Sequence, residues 1–141
     1  MQPRPLRKHT AWWAWMEIFL LLALVSIILV ACGSPPRIVV EPERQDLGEQ
    51  PQAPIHLTYT VRNEGGSPLE IQRVSTSCGC TKARVEKTTL APGESTPLYV
   101  VFDPTEDNLT GELLRVVYVR SNDPDNPEVA VEFRVTIRGE E

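Results

Sequence analysis

The sequence predicts an all-β protein, an antiparallel β-sandwich of about seven strands preceded by one N-terminal hydrophobic helix. Three observations carry this. Apolar residues recur at every second position in Val129, Val131, Phe133, Val135 and Ile137, against Ala130, Glu132, Arg134, Thr136 and Arg138. That period belongs to a strand with one buried face. Similar segments recur over about 105 residues, separated by clusters of turn-forming residues. A single charge-free apolar run, Ile18 to Ala31, precedes them all.

The first ten residues, MQPRPLRKHT, carry Arg4, Arg7 and Lys8 and no acid. Followed by an apolar run, they read as an export or membrane segment rather than as core. Leu29-Val30-Ala31-Cys32, with Gly33 and Ser34 behind it, resembles the lipobox of bacterial lipoproteins. In those proteins the cysteine is acylated and becomes the mature N-terminus. Cys32 is therefore expected to be a lipidation site and not a thiol. The run is short of the roughly 20 residues that span a bilayer and fits a signal-peptide core, which favours cleavage. The competing reading is an uncleaved anchor extended by Trp12, Trp13 and Trp15, an aromatic belt interrupted only by Glu17. Both readings leave the basic end inside and everything after Cys32 outside the cytoplasm.

The expected organisation is a signal peptide or signal anchor over 1–31, a lipidated cysteine with a short linker over 32–36, and one domain over 37–141. The chain has 14 Lys+Arg and 19 Asp+Glu; residues 1–31 hold three of the bases and one of the acids. The remainder therefore carries 11 bases against 18 acids, a formal charge of −7. Nothing in so acidic a domain would displace counterions from phosphate, so nucleic acid is not an expected partner. The acids keep an exported domain in solution.

Within the domain, strands are expected at Ile38–Val40, Ile55–Val61, Leu69–Val74, Lys82–Val85, Leu98–Phe102, Leu113–Arg120 and Val129–Ile137. Asn63-Glu64-Gly65-Gly66 offers residues that tolerate positive φ, and Ala91-Pro92-Gly93-Glu94 suits a type II turn. Ser121-Asn122-Asp123-Pro124-Asp125-Asn126-Pro127 cannot continue a strand. No segment after Cys32 has helical periodicity. Because the alternate residues of the last strand are polar, each sheet must keep one wet face, which two packed sheets provide.

Several stretches, taken in order, resemble a bacterial family known only as domain of unknown function 1573. They are Asp46-Leu47-Gly48, then Asn63, Gly65, Pro68, Leu69 and Ile71, then Ser77-Cys78-Gly79-Cys80-Thr81, Pro92-Gly93-Glu94-Ser95, and Ser121-Asn122-Asp123-Pro124. The wider similarity is to Ig-like domains of the abnormal-spindle and hydin type. The resemblance implies a seven-stranded Ig-like sandwich, usually exported and often lipid-anchored, with no established activity. One departure is the charge between Thr81 and Pro92: Lys82, Arg84, Glu86 and Lys87 suit an edge strand, where charge discourages edge-to-edge pairing.

The inventory for chemistry is short. His56 alternates with Thr58 and Thr60, opposite Ile55, Leu57 and Tyr59, so it is expected on the solvent side and is only a weak metal candidate. No G-x-S-x-G or comparable motif accompanies it. Asp123, Asp125 and Asn126 offer oxygens, but their spacing lacks the loop and terminal glutamate of an EF-hand, and a tight turn explains them. Asn108-Leu109-Thr110 matches the glycosylation sequon, which a lipobox-bearing bacterial protein leaves silent.

Cys78 and Cys80 leave three readings open. As a disulfide they would close a very small ring, since an extended Cys-Gly-Cys spaces its α-carbons about 7 Å apart. Gly79 would relieve this with a φ closed to other residues. Such a pair stabilises a fold little and is easily reduced, which suits thiol exchange. As thiolates they would offer two soft ligands to Cu(I) or half a zinc site, with His56 or carboxylates as candidates for the rest. As plain small residues they would pack in a bend at the end of the Leu69–Val74 strand, flanked by hydroxyls.

The function expected from these readings is a membrane-anchored, exported Ig-like binding or scaffolding module of the cell envelope, without catalytic activity or cofactor. Its partners would be the membrane, through the N-terminus, and another envelope protein. The alternative is an accessory protein that exchanges disulfides or handles Cu(I) through Cys78 and Cys80.

Overall fold

The computed structural model describes residues 16–17, 19–20 and 33–139. The expected N-terminal helix lies outside the described residues apart from 16–17 and 19–20, which are helical, and Cys32 lies outside them too. Among the described residues no helix is long and apolar enough to cross a membrane. The chain divides into two compact units, Met1–Gly33 and Ser34–Glu141.

Among the described residues the second unit holds nine strands: β1 (Ile38–Glu41), β2 (Arg44–Gln50), β3 (Ile55–Asn63), β4 (Leu69–Thr76), β5 (Thr81–Val85), β6 (Thr89–Leu90), β7 (Ser95–Phe102), β8 (Gly111–Ser121) and β9 (Glu128–Ile137). They form two sheets, one ordered β1-β3-β7-β5 and the other β2-β9-β8-β4-β6. The alternating residues behave as the sequence implies. Tyr59, Val61, Leu98, Phe102, Val117, Val119, Phe133 and Val135 are buried between the sheets. Phe102 and Phe133 meet edge to face across the core, with ring centroids 5.7 Å apart, a geometry that aromatic quadrupoles favour.

All seven expected strands are present, but two more join them. β2 reads RQDLGEQ, with Leu47 as its only large apolar residue, so no alternation announces it. It becomes a strand by pairing in parallel with β9, and the sandwich is therefore not wholly antiparallel. The Asp46-Leu47-Gly48 stretch makes the irregularity in that pairing: the register shifts between Asp46 and Glu49, Gly48 sits at φ 60°, and its N–H donates to Asp46 Oδ1 at 2.9 Å. β6 has only two residues and pairs with the start of β4.

β5 lies at the edge of its sheet, as its charges imply. The other edges are blunted by different means. β1 and β6 are short and β2 is bulged, each a recognised way of discouraging edge pairing.

Turn chemistry is as expected at Pro92-Gly93, where Gly93 sits at φ 79° and Glu94 N–H donates to Ala91 C=O at 2.9 Å. It differs at Gly65 and Gly66, which do not take positive φ. These glycines make room for the incoming chain. A Cβ on Gly65 would lie 2.6 Å from Arg37 N and collide with the Pro35 carbonyl, and one on Gly66 would lie 2.7 Å from Ser34 Oγ. Ser67 Oγ donates to Ser34 C=O at 2.8 Å, and Glu64 N–H to Arg37 C=O at 2.8 Å. Residues 34–37 are thus packed onto the β3–β4 turn.

Candidate functional site

β4 and β5 belong to different sheets, so Ser77–Cys80 crosses between the sheets at one end of the sandwich. The crossing is tied at both sides. Ser77 N–H donates to Val116 C=O at 2.9 Å, while Ser77 Oγ accepts the Val116 N–H at 3.1 Å. Asp103 N–H donates to Cys80 C=O at 2.9 Å, extending the β5–β7 ladder by one step. The Thr76 hydroxyl lies 2.9 Å from Cys78 C=O and 2.8 Å from Thr81 C=O, and donates to this carbonyl pair.

Within the crossing Cys78 and Cys80 are joined as a disulfide, with α-carbons 5.4 Å apart. The bend brings them closer than an extended tripeptide would. Gly79 achieves this without positive φ, contrary to the expectation for it, and the space where its Cβ would stand is open. The two sulfurs have unequal surroundings. Cys80 is 3% exposed and belongs to the core, whereas Cys78 is half-buried at its margin. Thr81 Oγ1 lies 3.3 Å from Cys78 Sγ and 3.9 Å from Cys80 Sγ, within hydrogen-bonding reach of both.

Sulfurs joined to each other carry no thiolate for a metal. His56, the remaining ligand candidate, is exposed on the outer face of β3, while Cys80 faces the core. The structure does not bring them together, and among the described residues no three His, Cys, Asp or Glu side chains are grouped to hold a metal ion.

Sequence reasoning missed Arg115 in this corner. It occupies an inward position of β8, in line with Leu113, Val117 and Val119, and its guanidinium lies 5.5 Å from the Phe102 ring centroid. Its Nη1 donates to Leu114 C=O at 2.9 Å, while its buried Nε has no partner among the described residues. The signal was available: a charged residue interrupts the apolar side of a period-two pattern. Arg115 neighbours Val116, which bonds Ser77, and stacks on Phe102, which opposes Thr81. A cation stacked on a ring face is electrostatically favourable there.

The same end carries the β2–β3 connection and the β7–β8 loop, because Ile55 and Thr81 both oppose Phe102. That loop, 103–110, holds Asp103, Glu106 and Asp107 and no base. Hydrogen bonds from the Thr105 hydroxyl (2.6 Å) and N–H (2.9 Å) hold Asp103 below the usual carboxylate range against the opposing effect of desolvation. Glu106 pairs with Lys82 at 3.1 Å.

The opposite end receives the chain from residues 34–37, and there Asp123 is structural. Its Oδ2 accepts Ile38 N–H at 2.9 Å, and its Oδ1 accepts Asp125 N–H at 2.9 Å and Asn126 N–H at 3.0 Å. The tight turn read from the sequence is this arrangement.

The domain is thus a two-sheet β-sandwich in which β2 runs parallel to β9 and a disulfide closes the loop that crosses between the sheets. The chain belongs to the family "Protein of unknown function (DUF1573)", whose model matches residues 38–137. No curated protein matches the sequence. Among solved structures, it is similar to a protein of unknown function from Porphyromonas gingivalis W83, at TM-score 0.65 and 21% identity, covering 72% of this chain and 46% of that one. It is also similar to the ASH / PapD-like domain 7 of human CEP192, at TM-score 0.55 and 9% identity over 76% of this chain and 89% of that domain. The periplasmic chaperone SfaE matches at TM-score 0.51 and 13% identity, over 74% of this chain and 58% of that one. At these identities the likeness is one of fold. The chain spans less than half of the Porphyromonas protein.

Proposed function

We propose that this chain is an exported, membrane-anchored Ig-like module that binds or scaffolds other proteins of the cell envelope and is not an enzyme. The observation that carries the reading is the opposition of the domain's two ends. Residues 34–37 enter against the β3–β4 turn, held by the Gly65 and Gly66 contacts. The loops 51–54, 77–80 and 103–110 gather at the other end. A lipid on Cys32 would hold the first end and leave the second for partners. The blunted sheet edges favour loops over strand addition as the contact surface. The likeness in fold to PapD-like domains and to the chaperone SfaE supports protein binding in the same general sense.

Two measurements test this reading. Cys32→Ala should abolish lipid labelling and leave an unprocessed precursor, and equal mature masses for the two proteins would refute lipidation. A photo-crosslinking residue at Asp107 should give a discrete protein adduct in intact cells, while one at Glu64 should not. Adducts from Glu64 alone would overturn the assignment of ends.

A second reading is favoured by one observation, the disulfide between Cys78 and Cys80 in an accessible loop. In this reading the module exchanges disulfide with a partner stoichiometrically, without turnover. Cu(I) handling is its variant for the reduced pair, with the two thiolates as ligands.

A further inference from the structure

We propose that Cys78 is the sulfur through which this disulfide exchanges with a dithiol of another exported protein, Cys80 being the thiol released; the proposal rests on the thiol-exchange reading above. Three observations converge on it. The ring contains a single intervening residue, so the bond contributes little by restricting the unfolded chain. Gly79 is exposed, and apart from Cys78 and Cys80 themselves no residue crowds the space beside it. Cys78 is half-buried and Cys80 is 3% exposed, so an incoming thiolate reaches only the first.

The exchange balances without a further reagent. A thiolate of the partner attacks Cys78 Sγ, forming a mixed disulfide, and the electron pair of the Cys78–Cys80 bond passes to Cys80 Sγ, which takes up a proton. The partner's second thiolate then attacks its own sulfur in the mixed disulfide and releases Cys78 as a thiol. Two electrons leave the partner, whose dithiol becomes a disulfide, and Cys78 and Cys80 become thiols.

The surroundings also select among partners. Loop 103–110 starts at Asp103, whose N–H donates to Cys80 C=O at 2.9 Å, and holds Asp103, Glu106 and Asp107 with no base, Glu106 being paired with Lys82. Complementarity favours dithiols flanked by Lys or Arg. Those are also the thiols most ionised at neutral pH, because adjacent cations lower a thiol's pKa.

The test uses the full-length chain in detergent, with a Lys-flanked dithiol peptide and its Glu-flanked counterpart as probes. The wild-type disulfide should be reduced by either peptide, the Lys-flanked one reacting several-fold faster at low salt. Gly79→Leu, at a position where an added Cβ meets no residue beyond its two neighbours, should slow both peptides while leaving reduction by a small thiol unchanged. Because exchange is reversible, single-cysteine variants report which sulfur reacts. With the oxidised Lys-flanked peptide, Cys80→Ser should form a mixed disulfide through Cys78 about tenfold faster than Cys78→Ser does through Cys80. Melting curves of both variants verify folding.

If excess peptide dithiol leaves the wild-type disulfide intact, the thiol-exchange reading fails and this proposal with it. If the disulfide is reduced but Cys80 traps the peptide as fast as Cys78, only the assignment of Cys78 fails. Equal rates for the two peptides would overturn the selection by charge alone.

Discussion

Asp123, in the turn between β8 and β9, accepts the backbone N–H of Ile38, the first residue of β1, at 2.9 Å across 85 positions of sequence. One carboxylate thus closes its own turn and fixes the place where the chain enters the other sheet. Asp123 is 2% exposed, and desolvation acts to raise its pKa. Hydrogen bonds from Ile38, Asn126 and Asp125, with the charge of Arg37, outweigh that and hold the group ionised below the usual aspartate range.

The first prediction follows from that balance. A carboxyl whose pKa is lower in the folded state stabilises the fold above its unfolded value, and the contribution is lost as pH falls through the folded one. Asp123→Ala should cost about 2–3 kcal/mol at neutral pH, since three N–H groups lose their acceptor. Asp123→Asn should flatten the part of the stability profile that wild type loses below about pH 4. Urea unfolding across pH 2–7 reads both effects; an unchanged acid limb in Asp123→Asn would contradict the assignment.

Gly65 should tolerate no side chain. In Gly65→Ala the new methyl meets backbone atoms of Pro35, Pro36 and Arg37 rather than a flexible side-chain end. A loss of about 1–3 kcal/mol is expected, as for other overpacked sites. Gly79→Ala, whose methyl meets no residue beyond its two chain neighbours, is the control and should melt like wild type.

Tyr59 is fully buried, burial pushes its hydroxyl up to about 12, and its Oη has no hydrogen-bond partner among the described residues. An unpaired buried hydroxyl carries its desolvation cost without return. Tyr59→Phe should leave stability unchanged or raise it by up to about 1 kcal/mol. A loss above that in denaturant unfolding would mean the hydroxyl is satisfied in solution.

Reducing the Cys78–Cys80 bond in the wild-type protein should lower stability by no more than about 1.6 kcal/mol, the loop-entropy value for so small a ring, against about 3 for a 15-residue loop. Paired unfolding curves with and without reductant measure this. A larger loss would make the disulfide a structural staple after all.

Three alternating segments were plainly legible, and four shorter or less regular ones with them, because burial of one face imposes period two directly on residue type, as in Val131, Phe133 and Val135. The edge position of β5 was legible because Lys82 and Arg84 do not fit a strand paired on both sides. β2 was not, since its strand conformation comes from pairing with β9 and its side chains are mostly exposed. Gly65 and Gly66 looked like residues of a turn with positive φ. They serve close approach by a segment some 30 positions upstream, a contact that no local pattern encodes.

The sequence alone determined the sandwich, its wet and dry faces and the isolation of Cys78 and Cys80 as the one place for thiol chemistry in the domain. These follow from composition and period, which are local. The tertiary structure decided which sulfur is accessible, that Arg115 stacks on Phe102 beside the β4–β5 crossing, and that His56 and Cys80 face different ways. Each depends on which strands from distant parts of the chain become neighbours, and that is set by the packing of two sheets against each other rather than by any short stretch of residues.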